Sequence, residues 1–424
     1  MRRRAVACGL LVVVLAGCSG KPTPWRRPAP ADVTAALAAI PEDLRWEPAR
    51  LPDDQNALVF WRRAVARLVP LEGEDLERSL YNAMSPWKPE DFPAGERRAR
   101  LDKWFSSNDE ALALVDEGIL IGQCAFDINV GEPFDNSLLT SLRRVARIRR
   151  VRAGLAAVDG DFERACDEIV KGLRMADIVL RSEGAPLHFL MGLAYGGIAR
   201  EGVRELGLAP ECPAPVLERL ISALPDQAEA AKSLATAMKI EFGYVAAGLH
   251  ANPGRAKLYG QPSLPVFDDG SDFMGLATAS FRAALKSVSL SWGKRLIRLT
   301  PKLRALNQEY DYFVQKWMMA CATRADAEAD EEIPRLAKDI SGKGGPMYQA
   351  LLTRMLEGWL EKLAMRSADC AATRAVLALR LFEMRTGRLP LKLSELVTAG
   401  IVDSVPPDPF CDKPLGYSPE RRRV

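Results

Sequence analysis

The most constraining feature of this chain is a pair of apolar stripes set at helical spacing and separated by three residues. Leu138, Leu142, Val145, Ile148, Val151, Leu155 and Val158 recur every three or four positions, the period of one face of a long α-helix. Asp159, Gly160 and Asp161 interrupt the pattern. Phe162, Ala165, Ile169, Leu173, Ala176 and Leu180 then resume it. Two long helices joined by so short a turn have to fold back on each other as an antiparallel hairpin. Gly160 is the residue expected to turn the corner, because only glycine enters positive φ without steric cost. Arg143, Arg144, Arg147 and Arg150 fall mostly on other faces of the first helix.

The same spacing continues along the chain. Helices are expected at 186–206, from Pro215 onward, at 226–249, 273–300, 301–329, 347–363 and 369–385. The stretches 252–272 and 340–346 are rich in glycine and proline and read as loops. Gly192 and Gly196 lie one turn apart, which predicts close helix packing. Arg200, Glu201, Arg204 and Glu205 rule that segment out as a membrane span. No four residues alternate convincingly before position 400. The expected fold is therefore all-α, an irregular helical bundle of long antiparallel hairpins with a small C-terminal module. With 48% hydrophobic and 27% charged residues, the chain is neither wholly disordered nor a polytopic membrane protein.

The run Ala157-Val158-Asp159-Gly160-Asp161-Phe162-Glu163-Arg164-Ala165 resembles the turn and second-helix start of tetratricopeptide repeats. A fainter echo runs from Glu72-Gly73-Glu74 to Arg78-Ser79. Gly172 stands near the family's usual alanine, and these helices are longer than a 34-residue repeat allows. The resemblance makes the fold tetratricopeptide-like in part. It implies a helical surface that binds a partner protein or peptide.

The N-terminus reads as an address. Arg2, Arg3 and Arg4 precede an apolar stretch from Ala5 to Leu15, and Leu15-Ala16-Gly17-Cys18 follows. This resembles the lipobox of bacterial lipoproteins. It implies that 1–17 is a signal peptide and that Cys18 carries the lipid. The expected location is the cell envelope, lipid-anchored on the periplasmic side of the inner or outer membrane. Ser19 is similar to the pattern of exported outer-membrane lipoproteins. Residues 18–50 form the lipidated cysteine and a proline-rich tether. The segments 51–262, 263–346 and 347–424 divide the helical body. Net charge is +3 over the whole chain. Removal of 1–17 takes three arginines with it and leaves a neutral remainder, so no global charge favours nucleic acid.

The last stretch contains Met384-Arg385-Thr386-Gly387-Arg388-Leu389-Pro390, then Leu393-Ser394-Glu395-Leu396, Val405-Pro406-Pro407-Asp408-Pro409-Phe410, and Lys413-Pro414-Leu415-Gly416-Tyr417. It resembles the end of the major pseudopilins of type II secretion. Leu389, Phe410 and Cys411 depart from that pattern, and the pseudopilin membrane helix is missing. Gly387 is expected to end a helix in a left-handed cap, Pro390 to start the next, and Phe410 and Tyr417 to pack back. The resemblance implies a folding module. Asp403, Asp408 and Asp412 are too thin a set to predict calcium.

Catalytic motifs are scarce. His188 and His250 are the only histidines. His188 is flanked by Leu187, Phe189 and Leu190 and reads as a packed core residue. His250 reads as a helix C-terminal charge. Ser291 and Lys294 match Ser-x-x-Lys without its companion motifs. Asp268, Asp269 and Asp272 lack the spacing of a calcium loop, and the acidic run from Asp326 to Glu332 reads as a solvated helix end. Six cysteines follow Cys18: Cys124, Cys166, Cys212, Cys321, Cys370 and Cys411. None forms a Cys-x-x-Cys pair. The residues thus point to no catalytic group, no metal site and no cofactor, and to Cys18 alone as a modified site. The favoured function is a non-catalytic interaction or scaffold protein whose partners are the membrane, through its anchor, and another protein. An envelope hydrolase using groove carboxylates and an accessory factor of secretion or pilus assembly stay open as alternatives.

Overall fold

The computed structural model describes residues 29–39, 46–47, 50–71, 95–128, 136–225, 347–408 and 413–419, with seven further positions between 233 and 244. Ten α-helices lie in these residues: α1 Pro30–Ala39, α2 Ala57–Val65, α3 Glu96–Ser107, α4 Asp109–Ile121, α5 Ser137–Val158, α6 Phe162–Arg181, α7 Pro186–Leu208, α8 Ala214–Ala223, α9 Met347–Thr386 and α10 Ser394–Thr398. No strand occurs among the described residues, only isolated bridges at Ala125 with Glu183 and Pro407 with Pro414. The protein is an all-α irregular bundle. No helix among the described residues is long and apolar enough to cross a membrane.

The hairpin of α5 and α6 forms where the spacing places it. Gly160 has φ +83°. Its N–H donates to the Ala157 carbonyl at 3.0 Å, and the Asp161 N–H donates to Ala156 at 2.8 Å. These are the two bonds of a Schellman cap, which satisfies carbonyls that the ending helix leaves free. Asp161 then starts α6, its carboxylate accepting the Arg164 N–H at 3.1 Å. That is the standard N-cap service of an aspartate.

Packing in the bundle divides between two apolar clusters. The first joins α2 to α5 around Trp61, Leu101, Leu142 and Ile148. The Trp61 indole N–H donates to the Val115 carbonyl at 3.3 Å, so this fully buried ring leaves no stranded donor. The second cluster joins the later part of α5 to α6, α7, α8, α9 and α10, and includes Cys166, Leu206, Leu220, Leu377, Phe382 and Leu396. The C-terminal helices thus share one core with the hairpin.

Three details differ from the expectation. Within the tether, Pro30–Ala39 is helical: proline is tolerated in a first turn, and five alanines follow. The helices expected at 347–363 and 369–385 are one continuous helix. Residues 364–368 hold no glycine or proline to stop it, and Arg366 and Ser367 are buried. Pro390 does not open the short helix. That helix starts at Ser394, after a turn in which Glu395 accepts the N–H groups of Leu391 at 2.7 Å and Lys392 at 3.2 Å. Gly387 does end α9, at φ +74°. Tyr417 packs back as expected and donates to the Pro390 carbonyl at 2.9 Å. Phe410, the loops at 252–272 and 340–346, the helices expected at 273–300 and 301–329, and the echo near Gly73 lie outside the described residues.

Candidate functional site

The polar chemistry of the body is concentrated in arginines that face inward from α5, α7 and α9. Arg149 is 1% exposed. Its guanidinium pairs with Glu168 of α6 at 2.8 Å and with Asp116 of α4. The other Glu168 oxygen lies 3.2 Å from Arg152, which reaches Asp109 at 2.8 Å, and Lys171 holds Asp116 at 2.8 Å. Three cations and three carboxylates therefore alternate across α4, α5 and α6. A cavity of about 10 Å³ beside Arg149 is lined by Ala146, Gly172, Ala199 and Gly202, room for about one water.

A second cluster links α5 to α7. Arg150 pairs with Glu201 at 2.8 Å and with Glu205 at 2.6 Å. A third links α7 to α9. Asp369 accepts from Arg200 and from Arg204, each at 2.6 Å. Glu168 and Glu205 are the most buried of these carboxylates, with side chains 9% and 6% exposed. Each is engaged by arginine, and Glu168 also lines the small cavity beside Arg149.

The sequence places Arg150 off the apolar stripe of α5, and the structure adds that this second face is buried as well. Both Arg149 and Arg150 are buried, because a third layer of helix covers that side of α5 and supplies the carboxylates. Apolar spacing identifies the face that packs first and says nothing of a second buried face. The available signal was the number of carboxylates on the neighbouring helix stripes.

Cys18, the one residue singled out for modification, lies outside the described residues, as do His250, Ser291, Lys294, Cys321, Cys411, Asp412, and the acidic stretches at 268–272 and 326–332. Cys124, Cys166, Cys212 and Cys370 are free and buried. Burial pushes the Cys124 thiol far up, and those of Cys166 and Cys212 up to about 11, so none of these three is a ready nucleophile. Among the described residues no three His, Cys, Asp or Glu side chains gather as a metal site.

His188 sits at the start of α7, 4% exposed, with its ring 3.9 Å from that of Phe126. Burial pulls its pKa down to about 4, against a small opposing effect of the Ala185 backbone. An unfolded chain takes up this proton near pH 6.5, and the folded one resists until about pH 4. The unfolded state therefore binds more protons in that window, and stability falls as the pH is lowered through it. The loss reaches about 3 kcal/mol at pH 4. His188→Gln removes this component. Thermal melts of both proteins from pH 7 to pH 4 are expected to converge toward acid. Parallel curves would assign the acid sensitivity to other groups.

No protein-family model, no curated protein and no solved structure matches the chain.

Proposed function

We propose that the chain is a lipid-anchored cell-envelope protein, attached through Cys18 on the periplasmic side of a membrane, whose helical body serves as a non-catalytic interaction scaffold. The observation that carries this reading is Leu15-Ala16-Gly17-Cys18 behind three arginines and a short apolar stretch. The interior supports the non-catalytic part. Its buried carboxylates Glu168 and Glu205 are bound by arginine, and the thiols of Cys124, Cys166 and Cys212 are raised and enclosed.

Cys18→Ala is expected to abolish incorporation of labelled palmitate and to leave unprocessed precursor. Cells expressing the wild-type and substituted chains are labelled and compared by gel and fluorography. Label remaining on the substituted chain would refute the assignment.

A further inference from the structure

The first arginine cluster is balanced in charge, and the third is not. Arg181, Arg200, Arg204 and Arg366 stand around only two carboxylates, Asp177 and Asp369, among the described residues. Two of these arginines are interior, Arg200 at 5% and Arg366 at 6% exposure. Asp369 is divided between Arg200 Nε and Arg204 Nη1. Asp177 is held by Arg181 at 2.8 Å and stands 3.8 Å from Arg366, beyond hydrogen-bond length. Nη1 of Arg200 and Nε of Arg366 find no acceptor among the described residues; Nε of Arg149 and of Arg152 in the first cluster find none either, but there the charges are balanced. Burial lowers the Arg366 pKa from its ordinary value, and the neighbouring Arg200 charge acts in the same direction. Native interiors seldom leave such donors unmet, and an ion or water is the usual partner. Gly196 makes room for this guanidinium: a Cβ there would lie 2.9 Å from Arg200 Nη1.

We propose that Arg200, Arg204 and Arg366 form a binding site for a tetrahedral oxyanion of the phosphate class. Three guanidinium groups come from two helices, α7 and α9, around Asp177 and Asp369. A ligand with three or four acceptor oxygens suits them better than a two-oxygen carboxylate, and arginine matches phosphate through its planar fork. The side chains of Asp369 and Arg204 are 37% and 38% exposed, and they mark the side of entry. Asp369 turns toward solvent as the anion takes over its donors, while Arg366 Nε serves a further oxygen. The phosphate comes from free ion or from a phosphomonoester headgroup of a membrane lipid.

The test is thermal melting of the purified full chain with inorganic phosphate, against chloride at matched ionic strength, and in parallel with glycerol phosphate as a soluble headgroup. A saturable rise of about 4 °C is expected at phosphate ~100 times its Kd. A rise at lower concentration with glycerol phosphate assigns the site to headgroups. A rise with inorganic phosphate alone assigns it to the free ion. Arg366→Gln abolishes the shift. Arg204→Gln, at a half-exposed position that leaves the core intact, weakens it at least tenfold in concentration. Asp369→Asn removes the internal competitor and moves the response to lower phosphate. No shift beyond the chloride control, or an equal shift in both arginine variants, overturns the site. Neither result bears on lipidation at Cys18, which the palmitate labelling reads separately.

Discussion

Arg149→Met is expected to destabilise the protein by about 3 kcal/mol, the scale of a buried ion pair that loses one partner. The guanidinium is enclosed among α4, α5 and α6, and its removal leaves Glu168 buried with Arg152 alone. The cost comes from the charge left behind more than from the attraction lost. The double variant Arg149→Met with Glu168→Met therefore recovers most of the loss, because two apolar side chains of similar length need no counter-charge. Denaturant unfolding of the four proteins forms a double-mutant cycle. A single-variant loss below ~1 kcal/mol would show that water reaches Glu168 and that the cluster is not sealed. Asp116 is more exposed, at 28%, so Asp116→Asn costs less.

Gly192→Val has the second large effect, also about 3 kcal/mol. A Cβ at this position would lie 2.7 Å from the Leu180 backbone nitrogen and 2.8 Å from its Cα. The obstacle is backbone, so no rotamer change relieves it, and α6 and α7 have to separate. Gly160→Val gives a contrast. A Cβ at Gly160 meets nothing within 4 Å, and its cost is the positive φ alone, ~1–2 kcal/mol. Melting temperatures should therefore fall in the order Gly192→Val, then Gly160→Val, then wild type as the most stable. The reverse order would place the tight contact at the turn and not between the helices. A Gly160→Val protein that melts like the wild type would move the turn itself.

These two glycines show how much was legible before the structure. Gly160 is readable from its neighbours, since Asp159 and Asp161 break a periodic stripe and the next stripe begins at Phe162. Gly192 and Gly196 predict a close approach, but the sequence does not say to what. The structure supplies Leu180 for the first and the Arg200 guanidinium for the second. The sequence predicts two helices, 347–363 and 369–385, where Met347–Thr386 is one; residues 364–368 hold no glycine or proline to break it. The short helix at Ser394 was placed too early because Pro390 is a good first residue. The Glu395 carboxylate bridges the intervening turn, a contact between residues three and four apart that a proline rule does not weigh.

The candidate anion site was not legible at all. Arg200 and Arg204 are read from sequence as charges that interrupt any membrane span, and Arg366 falls between the helices expected at 347–363 and 369–385. Whether an arginine is interior depends on which carboxylates arrive beside it. Arg149 meets Glu168 from 19 positions away, Arg150 meets Glu205 from 55, and Arg200 meets Asp369 from 169.

By itself the sequence determined the all-α class, the hairpin and its turn, and the left-handed end of α9. Each depends on residues within a few positions of one another, where helical period, cap chemistry and backbone sterics act. Only the tertiary structure decided that α5 is buried on more than one side, that α9 and α10 close the same core as the hairpin, and which arginines are balanced and which are not. Those outcomes depend on desolvation. The free energy of a buried charge is set by partners that the chain brings from far away, and no local pattern records it.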